Sequence, residues 1–321
     1  MRLRIARTLA ALAVPAVLLA ACGSGSADDG KSTGDSALAA VKVAGKAGEK
    51  PAVTVKAPFS LKATSTRVIT PGKGPKVATG QSVNVHYVLV NGRDGKEVQT
   101  TFGQPRVVFT ADETKLIKGL ARGITGQQVG SRVLVGIPPA DAFGAQGNSQ
   151  LAVQKDDTLL FVLDLLSIPR AKADGAAVAP KAGLPTVTVD DKGEPTITVP
   201  KTKAPTTLVT QPLIKGTGPA VKAGQTLTAH YTGVVWPGGK LFDSSFKRGQ
   251  PANFPIGIGQ VVKGWDQGLV GQTVGSRVLL VIPPALGYGK NGQPEAGIKG
   301  TDTLVFVVDI LDAGTDVLKT G

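Results

Sequence analysis

Residues 261–285 read VVKGWDQGLVGQTVGSRVLLVIPPA, and residues 116–140 read LIKGLARGITGQQVGSRVLVGIPPA. Both copies contain Val-Gly-Ser-Arg-Val-Leu and end on Ile-Pro-Pro-Ala. The offset between them is 145 residues, and it continues to the pair Phe161 and Phe306. A period this long indicates a duplicated domain, because solenoid repeats recur about every 20–50 residues.

The duplication divides the chain of 321 residues into segments of different composition. The stretch that follows the N-terminal segment consists largely of Gly, Ser, Ala, Asp and Lys, a composition that buries too little apolar surface to fold. The stretch between the copies is rich in Ala, Lys and Gly. We predict this order: a lipoprotein signal peptide (1–22), a flexible tether (23–47), repeat one (48–169), a linker (170–189) and repeat two (190–313).

The first segment predicts export and membrane attachment. Its basic start precedes an apolar run over residues 9–19, which is shorter than the about 20 residues of a membrane-spanning helix. The end of the segment, Leu19-Ala20-Ala21-Cys22, resembles the bacterial lipobox, which implies cleavage before Cys22 and lipidation of its thiol. Two or more acyl chains give stable anchoring. We therefore expect a lipid-anchored protein on the extracytoplasmic face of the cell membrane; the alternative is a plain secretory signal.

The composition excludes several classes of function. A single cysteine permits no internal disulfide and no cysteine-based metal site, and His86 and His230 lie in apparent strands, where we expect structural roles. The net charge of +13 favours anionic surroundings. The lysines are scattered through Gly/Pro-rich stretches and form no basic helix, which argues against a nucleic-acid partner. We predict no metal and no cofactor.

Most of each repeat shows the alternation of apolar and polar residues that is typical of β-strands, for example over residues 226–231 and 303–311. Helical periodicity occurs in only one stretch per repeat, residues 115–124 and residues 260–269. This pattern predicts an α+β fold in which one short helix closes the apolar face of an antiparallel sheet.

The two copies differ in their aromatic residues. Repeat two has Trp265, Tyr288, Phe242 and Asp243 where repeat one has, in the same order, Leu120, Phe143, Val98 and Gln99. Loops that present aromatic side chains build pockets more often than cores. We predict that repeat two contains a working site and that repeat one is a degenerate scaffold.

Repeat two then resembles a known family. Its blocks HYTG (230–233), GKLFDSS (239–245), VVKGWDQGL (261–269), VGSR (274–277), IPPALGYG (282–289) and TLVFVVDIL (303–311) resemble, in their order, the FKBP-type peptidyl-prolyl cis–trans isomerases. The resemblance implies two tandem FKBP-like domains, each a twisted antiparallel β-sheet wrapped round one short α-helix.

The resemblance also implies the site residues. Trp265 would form the floor of a pocket, and the side chains of its walls would be Tyr231, Phe242, Val261, Val262 and Phe306. Asp243 and Tyr288 would be the polar groups at the rim, and Ile298 would lie in a flap over the pocket. The backbone N–H of Val262 would hydrogen-bond the substrate. Ala252 stands where the family often has an aromatic residue, so that wall is expected to be shallower.

An apolar, dehydrated pocket favours the twisted form of a prolyl amide over the planar form, and it needs no nucleophile, metal or general base. We expect repeat two to isomerise proline-containing exported polypeptides at the outer face of the membrane, and macrolide immunophilin ligands to inhibit it. The alternatives are a non-catalytic chaperone or peptide-binding lipoprotein, and a pair of spacer modules. The intact aromatic set of repeat two favours the enzyme.

Overall fold

The structure of the chain is a computed structural model that describes residues 37–316. The predicted signal peptide, including Cys22, and residues 23–36 of the predicted tether lie outside the described residues. Within them, each repeat forms an antiparallel sheet that packs against one short helix. The α+β class that the sequence predicts is confirmed.

Repeat one has one five-stranded path of antiparallel pairing, with a short additional strand beside it. Its elements are β1 (Lys42–Ala44), β2 (Ala52–Thr54), β3 (Ser65–Thr70), β4 (Ser82–Asn91), β5 (Glu97–Thr100), β6 (Val107–Thr110), α1 (Lys118–Ile124), β7 (Arg132–Ile137) and β8 (Leu159–Ser167). The strand order is β3-β7-β8-β4-β5, and β6 also pairs with β4. The central pair β4–β8 places His86 opposite Asp164.

Repeat two repeats this order. Its elements are β9 (Gly175–Ala177), β10 (Thr186–Val189), β11 (Pro195–Thr198), β12 (Val209–Gly216), β13 (Thr226–Trp236), β14 (Leu241–Ser244), β15 (Ala252–Pro255), α2 (Lys263–Leu269), β16 (Arg277–Ile282) and β17 (Thr303–Gly314). The strand order is β14-β13-β17-β16-β12-β9, and β15 also pairs with β13. Short 3-10 turns follow the last-but-one strand of each repeat: Pro139–Asp141, Gly144–Gln146, Ser149–Leu151, Pro284–Leu286, Gly289–Asn291 and Pro294–Ala296.

The helix of each repeat lies unusually close to the sheet because glycine faces the strand behind it. A Cβ atom on Gly264 would lie 2.5 Å from Ile282 Cγ2, and one on Gly119 would lie 2.3 Å from the same atom of Ile137. Side chains larger than hydrogen cannot fit there. Both helices are shorter than the periodicity predicts, because residues before Lys118 and Lys263 are extended; Val262, for example, has ψ of 140°.

The other face of each sheet is covered by a small hairpin. In repeat one, Leu38 and Val41 are buried beside the β1–β2 hairpin, in a cluster with Val88, Val90 and Leu134. Residues 37–47 are therefore not the flexible tether that the composition predicts. A few well-placed apolar side chains suffice here because the back of an existing sheet supplies the rest of the core.

The predicted linker, residues 170–189, also contains ordered strands. β9 extends the sheet of repeat two by pairing with β12, and β10 forms a hairpin with β11 that covers the cluster around Ile197 and Trp236. The prediction of a purely connecting segment is wrong for these residues. Alternating Thr and Val over residues 186–189 is a strand pattern that the Pro/Gly-rich surroundings obscure.

No helix among residues 37–316 has the length and the apolar character that crossing a membrane requires. The same residues contain no group of three or more His, Cys, Asp or Glu side chains placed to hold a metal ion.

Candidate functional site

A cavity of about 490 Å³ opens in repeat two between the helix, the sheet and the loops at one end of the strands. This volume lies in the range of small-molecule and peptide side-chain pockets. Its lining is Tyr231, Phe242, Asp243, Phe254, Gly259, Gln260, Val261, Val262, Trp265, Tyr288 and Phe306. The cavity is therefore mostly aromatic and aliphatic, with a few polar groups at its edge.

The indole of Trp265 is held by aromatic side chains on three sides. Its ring centroid lies 4.9 Å from that of Phe254, 5.3 Å from that of Phe306 and 5.5 Å from that of Tyr231. All three pairs are edge-to-face, an arrangement that suits the ring quadrupoles. Only 3% of Trp265 is exposed, yet the residue lines the cavity, and its Nε1 has no hydrogen-bond partner among residues 37–316.

A polar network closes the rim of the cavity. The Tyr231 hydroxyl donates to Asp243 and accepts a 2.6 Å hydrogen bond from Arg248 Nη2. Arg248 Nη1 lies 2.5 Å from the other carboxylate oxygen of Asp243. Burial and the hydrogen bond to Asp243 raise the pKa of Tyr231 to about 12, so the phenol stays protonated at neutral pH. Burial also raises the pKa of Tyr288.

The loop before the helix is pinned by the helix itself. Asp266, in the first turn of α2, accepts hydrogen bonds from the backbone N–H groups of Gly257 at 2.6 Å and Gly259 at 2.8 Å. This fixes the segment that carries Val261 and Val262 into the cavity wall. The N–H of Val262 has no acceptor among residues 37–316, so it is free to donate to a carbonyl in the cavity.

The structure brings together eight of the nine residues that the sequence predicts for the site, and these line the cavity: Tyr231, Phe242, Asp243, Val261, Val262, Trp265, Tyr288 and Phe306. The ninth, Ile298, is 2% exposed and packs in the core; it is not part of the lining. The structure adds two residues that the sequence does not predict for the site: Phe254, which lines the cavity, and Arg248, which binds Asp243 at its rim. Phe254 lies in a strand, where an aromatic residue is normally part of the core. Arg248 lies in a turn, where a surface arginine is common.

Repeat one has the frame of this site without its chemistry. Tyr87 and Phe161 remain, with ring centroids 5.6 Å apart. The Tyr87 hydroxyl donates to the neutral amide of Gln99 at 2.9 Å, where repeat two has a carboxylate. The helix supplies Leu120, which is 1% exposed, in place of the indole. Repeat one thus keeps the core and lacks the aromatic floor and the ion pair.

The model of the FKBP-type peptidyl-prolyl cis-trans isomerase family matches residues 74–166 and 218–311. An FK506-binding protein of Streptomyces anulatus is 42% identical over 118 residues, which cover 37% of this chain and 95% of that protein. The isomerase FKBP9 of Rattus norvegicus is 30% identical over 197 residues, which cover 61% of this chain and 28% of that protein.

Among solved structures, the crystal structure of the three FKBP domains of wheat FKBP73 is 20% identical with a TM-score of 0.34. The match covers 79% of this chain and 95% of that one. The matched family segments include every residue that lines the cavity, and they include its equivalents in repeat one.

Proposed function

We propose, from the premise that this chain belongs to the FKBP-type peptidyl-prolyl cis–trans isomerase family, that repeat two carries the isomerase activity of the chain. The observation that carries this proposal is the asymmetry between the repeats. Repeat two combines the indole floor with the Tyr231–Asp243–Arg248 network, and repeat one has neither.

The reaction needs a pocket that binds a twisted amide better than a planar one. Resonance gives the peptide C–N bond a rotation barrier of about 18–20 kcal/mol, and a prolyl bond exchanges in tens to hundreds of seconds. Twisting takes the nitrogen lone pair out of conjugation and reduces the charge separation that water solvates well. A dry apolar cavity therefore favours the twisted state, which is differential binding of the transition state.

The described residues suit these tasks. The aromatic walls around Trp265 would hold the proline ring by apolar contact, and the free N–H of Val262 would hold the backbone carbonyl beyond it. The protonated Tyr231 orients Asp243 without becoming charged itself. A thousandfold acceleration corresponds to about 4 kcal/mol of transition-state stabilisation, which a few such contacts can supply.

The first prediction separates the two repeats within the full chain. Tyr231→Phe removes the hydroxyl that joins Asp243 and Arg248, and we expect kcat/KM for an Xaa-Pro peptide to fall about tenfold, the effect of one hydrogen bond in a dry site. The matched change Tyr87→Phe removes the hydroxyl that binds Gln99 and should leave turnover within twofold. FK506, which the Streptomyces relative is named for binding, serves as the competing ligand. Loss of activity in Tyr87→Phe alone would move the site to repeat one.

We further propose that the substrates are proline-containing polypeptides on the extracytoplasmic side of the membrane. The support is the N-terminal sequence, in which a basic start and a short apolar run lead to the only cysteine, Cys22. A lipidated cysteine places the two repeats beside chains that emerge from export. Catalysis there would accelerate prolyl isomerisation, which is slow enough to limit folding.

The second prediction concerns that anchor. In a bacterium that lipidates exported proteins, the wild-type chain should take up an alkyne-labelled fatty acid and sediment with membranes, because two or more acyl chains bind stably. The variant Cys22→Ser should lose the label and appear in the soluble fraction, with its isomerase activity unchanged. Equal fractionation of both chains would contradict lipid anchoring.

A further inference from the structure

A buried polar interface joins the two repeats. Its centre is Arg106, which precedes β6 in repeat one and is 2% exposed. Its Nη2 donates to the backbone carbonyl of Thr226 at 2.9 Å and to the carboxylate of Asp312 at 3.0 Å, both in repeat two. A buried guanidinium without partners is strongly destabilising, so repeat one depends on repeat two for the partners of this side chain.

The interface brings equivalent positions of the two repeats together. Asn84 of β4 donates to the hydroxyl of Thr228 in β13 at 3.0 Å, and Ser167 of β8 donates to Asp312 of β17 at 2.6 Å. In the alignment of the repeats, Asn84 corresponds to Thr228 and Ser167 corresponds to Asp312. This is the self-complementary geometry of a two-fold dimer interface. The charges, however, are divided: the cation lies on repeat one and the carboxylates lie on repeat two.

One strand carries this interface to the cavity. Asn253 lies in the middle of β15, and its Nδ2 donates to the carbonyl of Arg106 at 2.8 Å and to Asn84 Oδ1 at 3.2 Å. Successive side chains of a strand point to opposite faces, so the next residue, Phe254, faces the cavity. The Phe254 ring lies 4.9 Å from Trp265 and 5.6 Å from Tyr231. Repeat one therefore holds Asn253, the residue next to Phe254 in the cavity wall.

Within repeat two, β15 is fixed by its pairing with β13 and by the Thr228 hydroxyl, which donates to Asn253 Oδ1 at 2.6 Å. It is four residues long and, among the described strands, it pairs only with β13. Short edge strands with pairing on one side open more readily than central strands. In repeat one the equivalent of Asn253 is Val108 in β6, which has no side-chain hydrogen-bonding group. The polar contact to β15 is thus a feature of the repeat that holds the cavity.

We propose that repeat one acts as a positioning domain for the isomerase site, with Arg106 and Asn84 holding β15 so that Phe254 stays in the cavity wall. The inference rests on the proposed function, because it concerns the site of repeat two. It gives the degenerate repeat a role that needs no pocket of its own. The residues of repeat one contact no substrate; they act through Asn253 on the wall.

The test uses the full chain with Arg106→Met, which keeps the backbone carbonyl that receives Asn253. It removes the guanidinium bonds to Thr226 and Asp312 that hold residue 106 against repeat two, and it keeps most of the side-chain volume. We expect KM for an Xaa-Pro peptide to rise about three- to tenfold with kcat within twofold, the range of coupling through packed networks. Amide hydrogen exchange of residues 252–255 should accelerate. In a Phe254→Ala background, Arg106→Met should change KM no further. The control is Arg93→Met, which removes a half-exposed arginine of repeat one that pairs with Asp157 at 3.2 Å and lies outside the interface.

If Arg106→Met does not fold, Asn84→Ala supplies the test, because it removes no charge. It removes the acceptor of Asn253 Nδ2 together with the hydrogen bonds from Asn84 to Thr228, Ser167 and Asp312. Unchanged exchange of residues 252–255 and unchanged KM in a folded variant would overturn the proposal. So would equal effects of Arg106→Met with and without Phe254, which would show that Arg106 contributes stability alone. Failure of the proposed function is a separate result. Trp265→Leu would then leave turnover intact, while the amide exchange of residues 252–255 would still show whether Arg106 and Asn84 hold β15.

Discussion

Replacing Trp265 by leucine is expected to lower kcat/KM for an Xaa-Pro peptide by about 30-fold or more. The indole is 3% exposed and contacts three aromatic walls of the cavity. Truncation of a central, desolvated aromatic side chain costs about 2 kcal/mol or more of binding free energy. Each 1.36 kcal/mol lost from transition-state binding lowers the rate about tenfold. The substitution copies repeat one, where Leu120 occupies the same position of the helix.

Stability should respond less than turnover. Repeat one shows that the helix and sheet pack around a leucine at this position, which is 1% exposed. Cores tolerate such changes when apolar character is kept, with a cost for the residual space. We therefore expect a cooperative thermal transition, lowered by several degrees. Turnover is measured well below that transition, by a cis–trans assay on a short proline peptide.

The other tryptophan provides a matched control. Trp236 is 2% exposed, packs on the opposite face of the same sheet and donates from Nε1 to the Thr202 carbonyl at 3.0 Å. Trp236→Leu makes the same chemical change away from the cavity, so it should lower the unfolding temperature and leave kcat/KM unchanged below it. If both variants lost activity in proportion to stability, Trp265 would be a core residue and the cavity would not be the catalytic site.

The sequence predicts most of the cavity lining because the aromatic residues are few and unevenly divided between two copies of one domain. With 14 aromatic residues in 321, each one that lies in a loop stands out, and comparison of the repeats shows which were replaced. Phe254 escapes this reasoning because its strand position is equally suited to a core. Asp266 and Arg248 escape it because a charged side chain near a turn does not show which backbone group or carboxylate it will bind.

The covering hairpins and the interface between the repeats were not predicted, for physical reasons. Leu38 and Val41 are isolated apolar residues in a polar segment, and their burial depends on a sheet face that only the folded repeat provides. The interface residues Asn84, Thr228 and Asn253 alternate with core residues along strands. A polar residue at such a position is indistinguishable in sequence from one that faces solvent.

The prediction with the largest effect on stability concerns the buried ion pair of repeat two. Arg277 Nε lies 2.5 Å from Asp309 Oδ1 and its Nη2 lies 2.7 Å from Oδ2, with both side chains nearly inaccessible. Asp309→Asn leaves a buried guanidinium without its counter-charge, and removal of one partner of such a pair costs about 3–5 kcal/mol. Urea unfolding followed by tryptophan fluorescence measures this in repeat two, which contains both tryptophans of the chain.

In repeat one the equivalent ion pair is Arg132–Asp164, and we expect Asp164→Asn to lower the free energy of unfolding less than Asp309→Asn does. Arg132 pairs with Asp164 at 2.6 Å, but it also donates to the backbone carbonyls of Gly45, Lys46 and Glu49 at 3.3, 3.0 and 2.6 Å. Arg277 has one such carbonyl, that of Gly193 at 3.0 Å. The N-terminal hairpin loop therefore solvates the charge of repeat one in part, and native-state hydrogen exchange of β8 and β17 should report the difference.

The double variant Arg277→Met/Asp309→Leu decides whether charge or packing is responsible. Replacing a buried ion pair by apolar residues of similar volume is often neutral or stabilising, because no charge is left without a partner. We expect the double variant to recover most of the free energy of unfolding that Asp309→Asn loses. If it is as unstable as the single variant, the pair contributes through its geometry, by fixing β16 against β17 and receiving the N–H of Ala173 at 3.4 Å. The electrostatic account would then be wrong.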